Sequence, residues 1–380
     1  MSLSDKPKKT PPTSIDRDEA FHLLLASVAH QERSLGNLIN AEAEVLRAAA
    51  AGLQGNRHPG AAISNLIDLN RSIDEILRSV TRHERVLHAK LRTILEGMQT
   101  RPPLTAGSRI LYVANNWGRS VAIFDASNPT APIQVGEFNS NQFLSPSALA
   151  ITGRVLYVAD QSADKVEIYD LADPVNPVNI GEFNAGNLDS PSALAITGNT
   201  LYVANQSEKT VEIYDISTPA NPVRQGEFNG ENFSFPHGLA VTGTILYVAD
   251  GTRNTIAIYD ISDPVNPVRL REFNGANLNN PLYMLVYRDI LYVANHEGNT
   301  VEIYDISSPT EPVHTGTFNG NLNAPVGLAI NETTLYVSNY YEDTVELYDI
   351  STPESPVRIG QVSTGLYTAP SGLAIFNVFG

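Results

Sequence analysis

LYVANQSEKTVEIYDISTPANPVRQGEFNG, Leu201 to Gly230, decides the fold, because most of the chain is this stretch written six times. Its opening pentapeptide recurs as LYVAN at Leu111, LYVAD at Leu156, LYVAN at Leu201, LYVAD at Leu246, LYVAN at Leu291 and LYVSN at Leu335. The steps are 45, 45, 45, 45 and 44 residues, and a fixed period in this range marks a propeller or a solenoid.

Each repeat reads as four short strands. The first is the apolar run ALAITG (Ala148 to Gly153), and a Gly-bearing turn leads to the second, LYVAD. A polar loop precedes the third, VEIYDI, with its β-branched and aromatic alternation. A turn rich in Pro, Ser and Asn delivers the fourth, which ends in GEFN, and a loop of the form NGxNLxxP returns the chain to the next inner strand. The inner two strands are almost continuously apolar, as expected of a sheet covered on both faces. The third alternates more, which places it further out. Four-stranded units of this length are propeller blades.

The inner strands begin near Ala148, Ala193, Gly238, Tyr283, Gly327 and Gly372, but the first LYVAN is preceded by RPPLTAGSRI, no copy of ALAITG. The spare inner strand is the last one, Ser371 to Phe379. It is expected to pair beside Arg109 to Asn115 and close a six-bladed ring, removing the open edge of a linear array.

The pattern LYVAD…VEIYDISDPVNPV…GEF resembles the LVIVD-repeat propellers and, more loosely, the YVTN-type surface propellers, over about Ile110 to Phe379. The resemblance implies a bacterial protein, often exported or surface-associated, of a kind that generally lacks an assigned activity. Fold alone does not supply function.

Composition narrows the partners. The 380 residues have room for two domains, and there is no Cys for disulfides or thiolate metal sites. Residues 1–100 hold 13 Lys and Arg against 12 Asp and Glu, whereas the remainder holds 12 against 29, a charge of −17. So acidic a propeller repels nucleic acid and anionic lipid. No run of about 18 apolar residues is present to span a membrane. The opening MSLSDKPKKTPPTS lacks an apolar core and reads as a disordered arm over residues 1–15 rather than a secretory signal.

Residues 16–100 read as a helical domain, ahead of a propeller over 101–380. Helical periodicity is interrupted once by AGLQGNRHPG (Ala51 to Gly60), a helix break and turn. The second helix repeats at alternating steps of four and three: Leu66, Asn70, Ile73, Leu77, Val80, Glu84, Leu87, Leu91 and Ile94. The first follows the same scheme through Leu25, Val28, Glu32, Leu35, Ile39, Glu42 and Leu46. Such spacing makes a coiled-coil seam, and the pair reads as an antiparallel hairpin with helices roughly 50–55 Å long. Leu23, Leu24, Leu38 and Val45 widen the stripe beyond what one partner covers, which points to self-association into a homo-oligomer. Bracing of the propeller's underside is the other reading.

The segments SVAHQERSLGNLINAEAEVL and LIDLNRSIDEILRSVTRHERVLHAKL resemble an uncharacterised helical domain of spore-forming Gram-positive bacteria. The resemblance implies an assembly anchor carrying a variable display domain, at the spore surface or another extracellular surface. Spore-surface proteins are made in the mother cell without a signal peptide, although a cytoplasmic chain would look the same.

Candidate chemistry is sparse. Glu32, Glu42 and Glu84 near His30, His83 and His88 lack the Glu-x-x-His step of a di-metal bundle, so no metal is expected there. In the propeller, Asn115, Asp160, Asn205, Asp250, Asn295 and Asn339 end the second strand of every blade. They offer a calcium rim, yet repetition in all blades favours turn capping by local backbone bonds. Asp125, Asp170, Asp215, Asp260, Asp305 and Asp349 read the same way on the opposite face. His237 and His296 have no nucleophile or acid beside them in any recognisable pattern. No catalytic residue, cofactor or metal is assigned, and the chain is expected not to be an enzyme; a propeller hydrolase is the least favoured reading.

Binding is better sought where repeats disagree. The second residue of the loop after LYVAN is Ser162, Ser207, Thr252 or Glu297 in four blades, but Trp117 in blade 1 and Tyr341, preceded by Tyr340, in blade 6. Ring closure makes these blades neighbours, so the aromatics should meet. Phe235 and Tyr283 are further aromatics towards the same face. These five residues form the candidate binding surface for a protein or glycan, on the face away from where the chain enters.

Overall fold

A computed structural model of the chain describes residues 104–378, except 106, 140–142, 185–187, 231–232, 276 and 366–367. They belong to the second of the two units into which the chain divides, Leu104–Gly380. The expected arm, the helical hairpin and its seam from Leu66 to Ile94 lie outside the described residues.

The six repeats form six four-stranded antiparallel sheets. Blade 2, for example, runs through Pro146–Thr152, Val155–Asp160, Lys165–Asp170 and Val178–Phe183. Every inner strand starts at a proline (Pro146, Pro191, Pro236, Pro281, Pro325, Pro370), about two residues earlier than the apolar run suggests. Proline fits there because the first residue of a strand owes its sheet no donor.

Blade 1 takes its inner strand from the far end of the chain. Pro370–Asn377 pairs antiparallel with Arg109–Asn115, from Arg109 opposite Asn377 to Asn115 opposite Pro370. Val378 then donates to the Ser108 carbonyl at 2.8 Å, and Gly107 donates to that of Val378 at 2.9 Å. The expected closure holds, with the strand ending at Asn377.

Alternate residues of the second strand face opposite neighbours, which explains the unbroken apolar run. Tyr112 and Ala114 pack with Leu149, Leu156 and Val158 of blade 2. Leu111 and Val113 pack with Ala329, Tyr336 and Val345 of blade 6. Both faces are dry, so neither tolerates a polar residue without a partner.

The third strands depart from expectation: they are buried almost throughout, and the outward alternation falls on the fourth strand. Their glutamates Glu167, Glu212, Glu302 and Glu346 are at most 1% exposed. They survive there by charge pairing and hydrogen bonding: Glu212 accepts from Arg224 Nε at 2.7 Å, Glu346 from Arg358 Nε at 2.6 Å, and Glu302 lies 2.8 Å from His314 Nε2.

Candidate functional site: the loop face of the propeller

In a four-stranded blade the loop between strands two and three and the loop returning to the next inner strand share one face. On that face Trp117 of blade 1 meets Tyr340 and Tyr341 of blade 6. Ring centroids are 5.4 Å apart for Trp117–Tyr340, 6.4 Å for Trp117–Tyr341 and 5.3 Å for Tyr340–Tyr341. The rings meet at 76°, 53° and 81°, so none shields another's face completely. Trp117 remains 51% exposed and Tyr341 55%. His296 of blade 5 joins the cluster, 6.1 Å from Tyr340 and 6.0 Å from Tyr341.

Backbone bonds hold this cluster. Trp117 N and Gly118 N both donate to Thr368 O, and Asn116 N donates to Ala369 O. The loop carrying Thr368 is itself pinned by Asp343, whose carboxylate accepts from Thr368 N at 2.7 Å and Ala369 N at 2.9 Å. Tyr340 reaches back to Asn116 Oδ1 at 3.4 Å, and burial pushes its hydroxyl up to about 12. Its phenol is therefore a neutral donor.

The other two sequence-predicted aromatics lie apart from these three. Tyr283 is only 9% exposed and points into the axis rather than outward. Its hydroxyl donates to Ser147 O at 3.2 Å, joining blade 5 to blade 2, the blade diametrically opposite. The equivalent positions elsewhere are Ala148, Ala193, Gly238, Gly327 and Gly372, so a single tyrosine fills a space that five small residues leave. Phe235 is half-buried and stacks on His237, with centroids 6.0 Å apart; His237 in turn lies 6.0 Å from Tyr283.

Around this plug runs a ring that sequence reading missed. In four of the inner strands the ladder register slips at the second residue, leaving Ser147, Ser192, His237 and Leu282 unpaired in the sheet. Such a bulge re-aims the side chain. Ser147 Oγ donates to Pro191 O at 3.0 Å, Ser192 Oγ to Pro236 O at 3.3 Å, and Ser371 Oγ to Pro146 O at 3.1 Å, each reaching the next blade. His237 Nδ1 lies 2.9 Å from Leu282 O, so it carries the proton and donates. Burial pulls the basicity of His237 down to about 4, and it is a neutral imidazole.

The Asn and Asp rim is engaged in local bonding. Asp160 accepts from Leu144 N at 2.8 Å and Ser145 N at 2.7 Å, and Asp250 accepts from Ser234 N at 2.7 Å. Asn205 and Asn339 each accept one amide of the return loop at 2.6 Å. On the opposite face all six strand-ending aspartates accept from the amide two residues on, at 2.7–2.9 Å. Apart from Asn115, whose Oδ1 has no partner, both sets are turn caps. Among the described residues no group of three or more His, Cys, Asp or Glu converges in a way that could hold a metal.

Residues 16–98 match the model of the alpha-helical endospore appendage domain, and LVIVD repeats match at residues 110–140, 190–230, 237–274 and 284–320. No curated protein matches the chain. Among solved structures, a functionally unknown protein from Desulfotomaculum acetoxidans aligns over 72% of this chain and 87% of its own, with 19% identity and a TM-score of 0.54. A chain of the nidogen/laminin complex aligns over 70% of this chain and 98% of its own, with 16% identity and a TM-score of 0.56. The periplasmic gluconolactonase of Pseudomonas aeruginosa aligns over 70% and 85%, with 13% identity and a TM-score of 0.53. At such identities these likenesses concern the fold alone. The chain thus carries an alpha-helical endospore appendage domain at residues 16–98, followed by a six-bladed propeller of LVIVD repeats.

Proposed function

We propose that this is a non-enzymatic assembly and display protein of the endospore surface. Its N-terminal domain self-associates, into a layer or filament, and its propeller is presented for protein or glycan binding through Trp117, Tyr340 and Tyr341. The observation that carries the reading is the appendage-domain match over residues 16–98, joined to a propeller with two half-exposed aromatics on one face. A hydrolase would need convergent acids at the axis, and here that space is taken by Tyr283 bonded to Ser147. The acidic charge of the propeller argues against nucleic acid and anionic membranes as partners.

Mass photometry of the full chain tests the assembly. Oligomers are expected, and Leu77→Arg with Leu91→Arg on the seam should shift them to monomer. A wild-type chain that stays monomeric at micromolar concentration sinks the assembly and leaves a monomeric ligand-binding propeller. Glucono-δ-lactone incubated with the protein should hydrolyse no faster than in buffer.

A further inference from the structure

The first residue of each loop after LYVAN forms an inner ring on the aromatic face: Asn116, Gln161, Gln206, Gly251, His296 and Tyr340. Each of these residues donates its amide to the neighbouring return loop, at 3.0–3.2 Å, so their positions repeat around the axis. Side chains connect them laterally: Gln161 Nε2 donates to Gln206 Oε1 at 3.0 Å, and Tyr340 touches both Asn116 and His296. Beneath them lies the second ring, with Ser147, Ser192, His237 and Ser371 as its polar members, around the plug of Tyr283. Together they form a mouth whose floor is closed.

Two features of this mouth point to a ligand. Gln206 is nine-tenths buried, yet its Nε2 has no hydrogen-bond partner, and neither has His296 Nδ1. The Glu297 carboxylate, 4.0 Å from that nitrogen, is beyond hydrogen-bond reach. Buried polar atoms without partners are rare because each forfeits its hydration. The second feature is charge. The propeller carries 29 acidic residues, but no Asp, Glu, Lys or Arg stands in either ring, and Glu297 is the one carboxylate at the rim position that Trp117 and Tyr341 share. A mouth for a cation would hold carboxylates, and an anion would meet the surrounding negative field. What remains is a neutral, polyhydroxylated ligand: hydroxyls for amides and imidazole, and C–H faces for Trp117 and Tyr341 on the rim.

We propose that this mouth binds neutral carbohydrate, with Gln206, Gln161 and His296 as hydrogen-bonding floor and Trp117 and Tyr341 as stacking faces. The proposal rests on the ligand-binding half of the function given above and extends the site inward from the aromatic cluster to the axis.

Trp117 is the only tryptophan of the chain, so its emission reports the rim directly. The full-length protein is titrated with cellotetraose, tetraacetylchitotetraose, tetragalacturonate and tetralysine. A saturable change with at least one neutral tetrasaccharide, and none with the charged probes, is expected. Gln206→Leu should weaken that binding about tenfold, the loss of one buried hydrogen bond, with the melting temperature held. Should that variant fold poorly, Gln161→Leu carries the same expectation. Silence towards both neutral sugars at millimolar concentration overturns the proposal, as does saturation by tetralysine alone. Unchanged affinity in a folded Gln206→Leu confines any binding to the rim and overturns the mouth. Mass photometry without sugar reads assembly independently, so loss of one reading leaves the other standing.

Discussion

Tyr336 of blade 6 donates a 2.7 Å hydrogen bond to the carbonyl of Pro129 in blade 1, across 207 positions of chain. The same bond joins every other pair of neighbours: Tyr112 to Pro174, Tyr157 to Pro219, Tyr202 to Pro264, Tyr247 to Pro309 and Tyr292 to Pro353, at 2.6–2.9 Å. The tyrosine of LYVAN is thus a strut to the turn of the next blade, and the closing joint is made like the internal ones.

Removing one strut should therefore cost the same wherever it stands. Tyr336→Phe and Tyr202→Phe each leave a part-buried proline carbonyl without its partner, so each should lower stability by about 1 kcal/mol in urea titrations. A loss confined to Tyr336 would mean that the closure is special. Burial pushes the hydroxyls of Tyr157, Tyr202 and Tyr336 up to about 12. Since an unfolded tyrosine ionises near 10, their contribution is complete below that pH and fades as pH rises towards about 12. Chemical denaturation at alkaline pH checks that window.

Deleting residues 370–380 should unlatch the ring rather than trim it. Blade 1 would lose its inner strand and Arg109–Asn115 would become an open edge, a template for pairing between chains. The expected result is aggregation and loss of a single cooperative unfolding transition. A truncated protein that melts as sharply as the intact one would refute the latch.

Gly327 sits where the inner strands converge, and a Cβ there would lie 1.9 Å from Ser371 O. Gly327→Ala must push blades 6 and 1 apart and should destabilise by several kcal/mol, more than the roughly 1 kcal/mol of an ordinary Gly→Ala change. Tyr283→Ala opens the opposite problem, a cavity on the axis, and should cost about 3–5 kcal/mol. Tyr283→Phe keeps the fill and releases Ser147 O alone, so its effect should be smaller. Thermal melts of the three variants give the order.

His237 makes the second ring acid-sensitive. Its imidazole is fully buried, donates to Leu282 O and feels His296 nearby, and burial pulls its pKa from 6.5 to about 4. The unfolded chain binds that proton first as pH falls, so stability is complete above pH 6.5 and drops until about pH 4. The drop is on the order of 3 kcal/mol. The stability difference between pH 7 and pH 4 should shrink by that amount in His237→Gln. An equal difference in both proteins would remove His237 from the account.

Several features were legible in the sequence because they repeat. Six copies of LYVAN or its variants gave blade number and strand order, and the unmatched Ser371–Phe379 gave the closure. Asp125 and its five counterparts read as turn caps, since a role played identically in every blade has to be local. The meeting of Trp117 with Tyr341 followed from closure plus the two positions where copies disagree. The buried glutamates of the third strand did not read correctly, because alternation looks the same whether the polar residue faces water or an arginine on the next strand.

By itself the chain determined a ring: six like modules of fixed period, with the inner strand that the first lacks supplied by Ser371–Phe379, make period, count and closure properties of sequence alone. Tertiary structure decided what stands inside that ring. Whether Tyr283 faces outward or spans the axis to Ser147, and whether Gln206 ends with a partner, depends on bulges and on opposite blades brought within hydrogen-bond reach. Those are distances between residues far apart in the chain, and no local pattern encodes them.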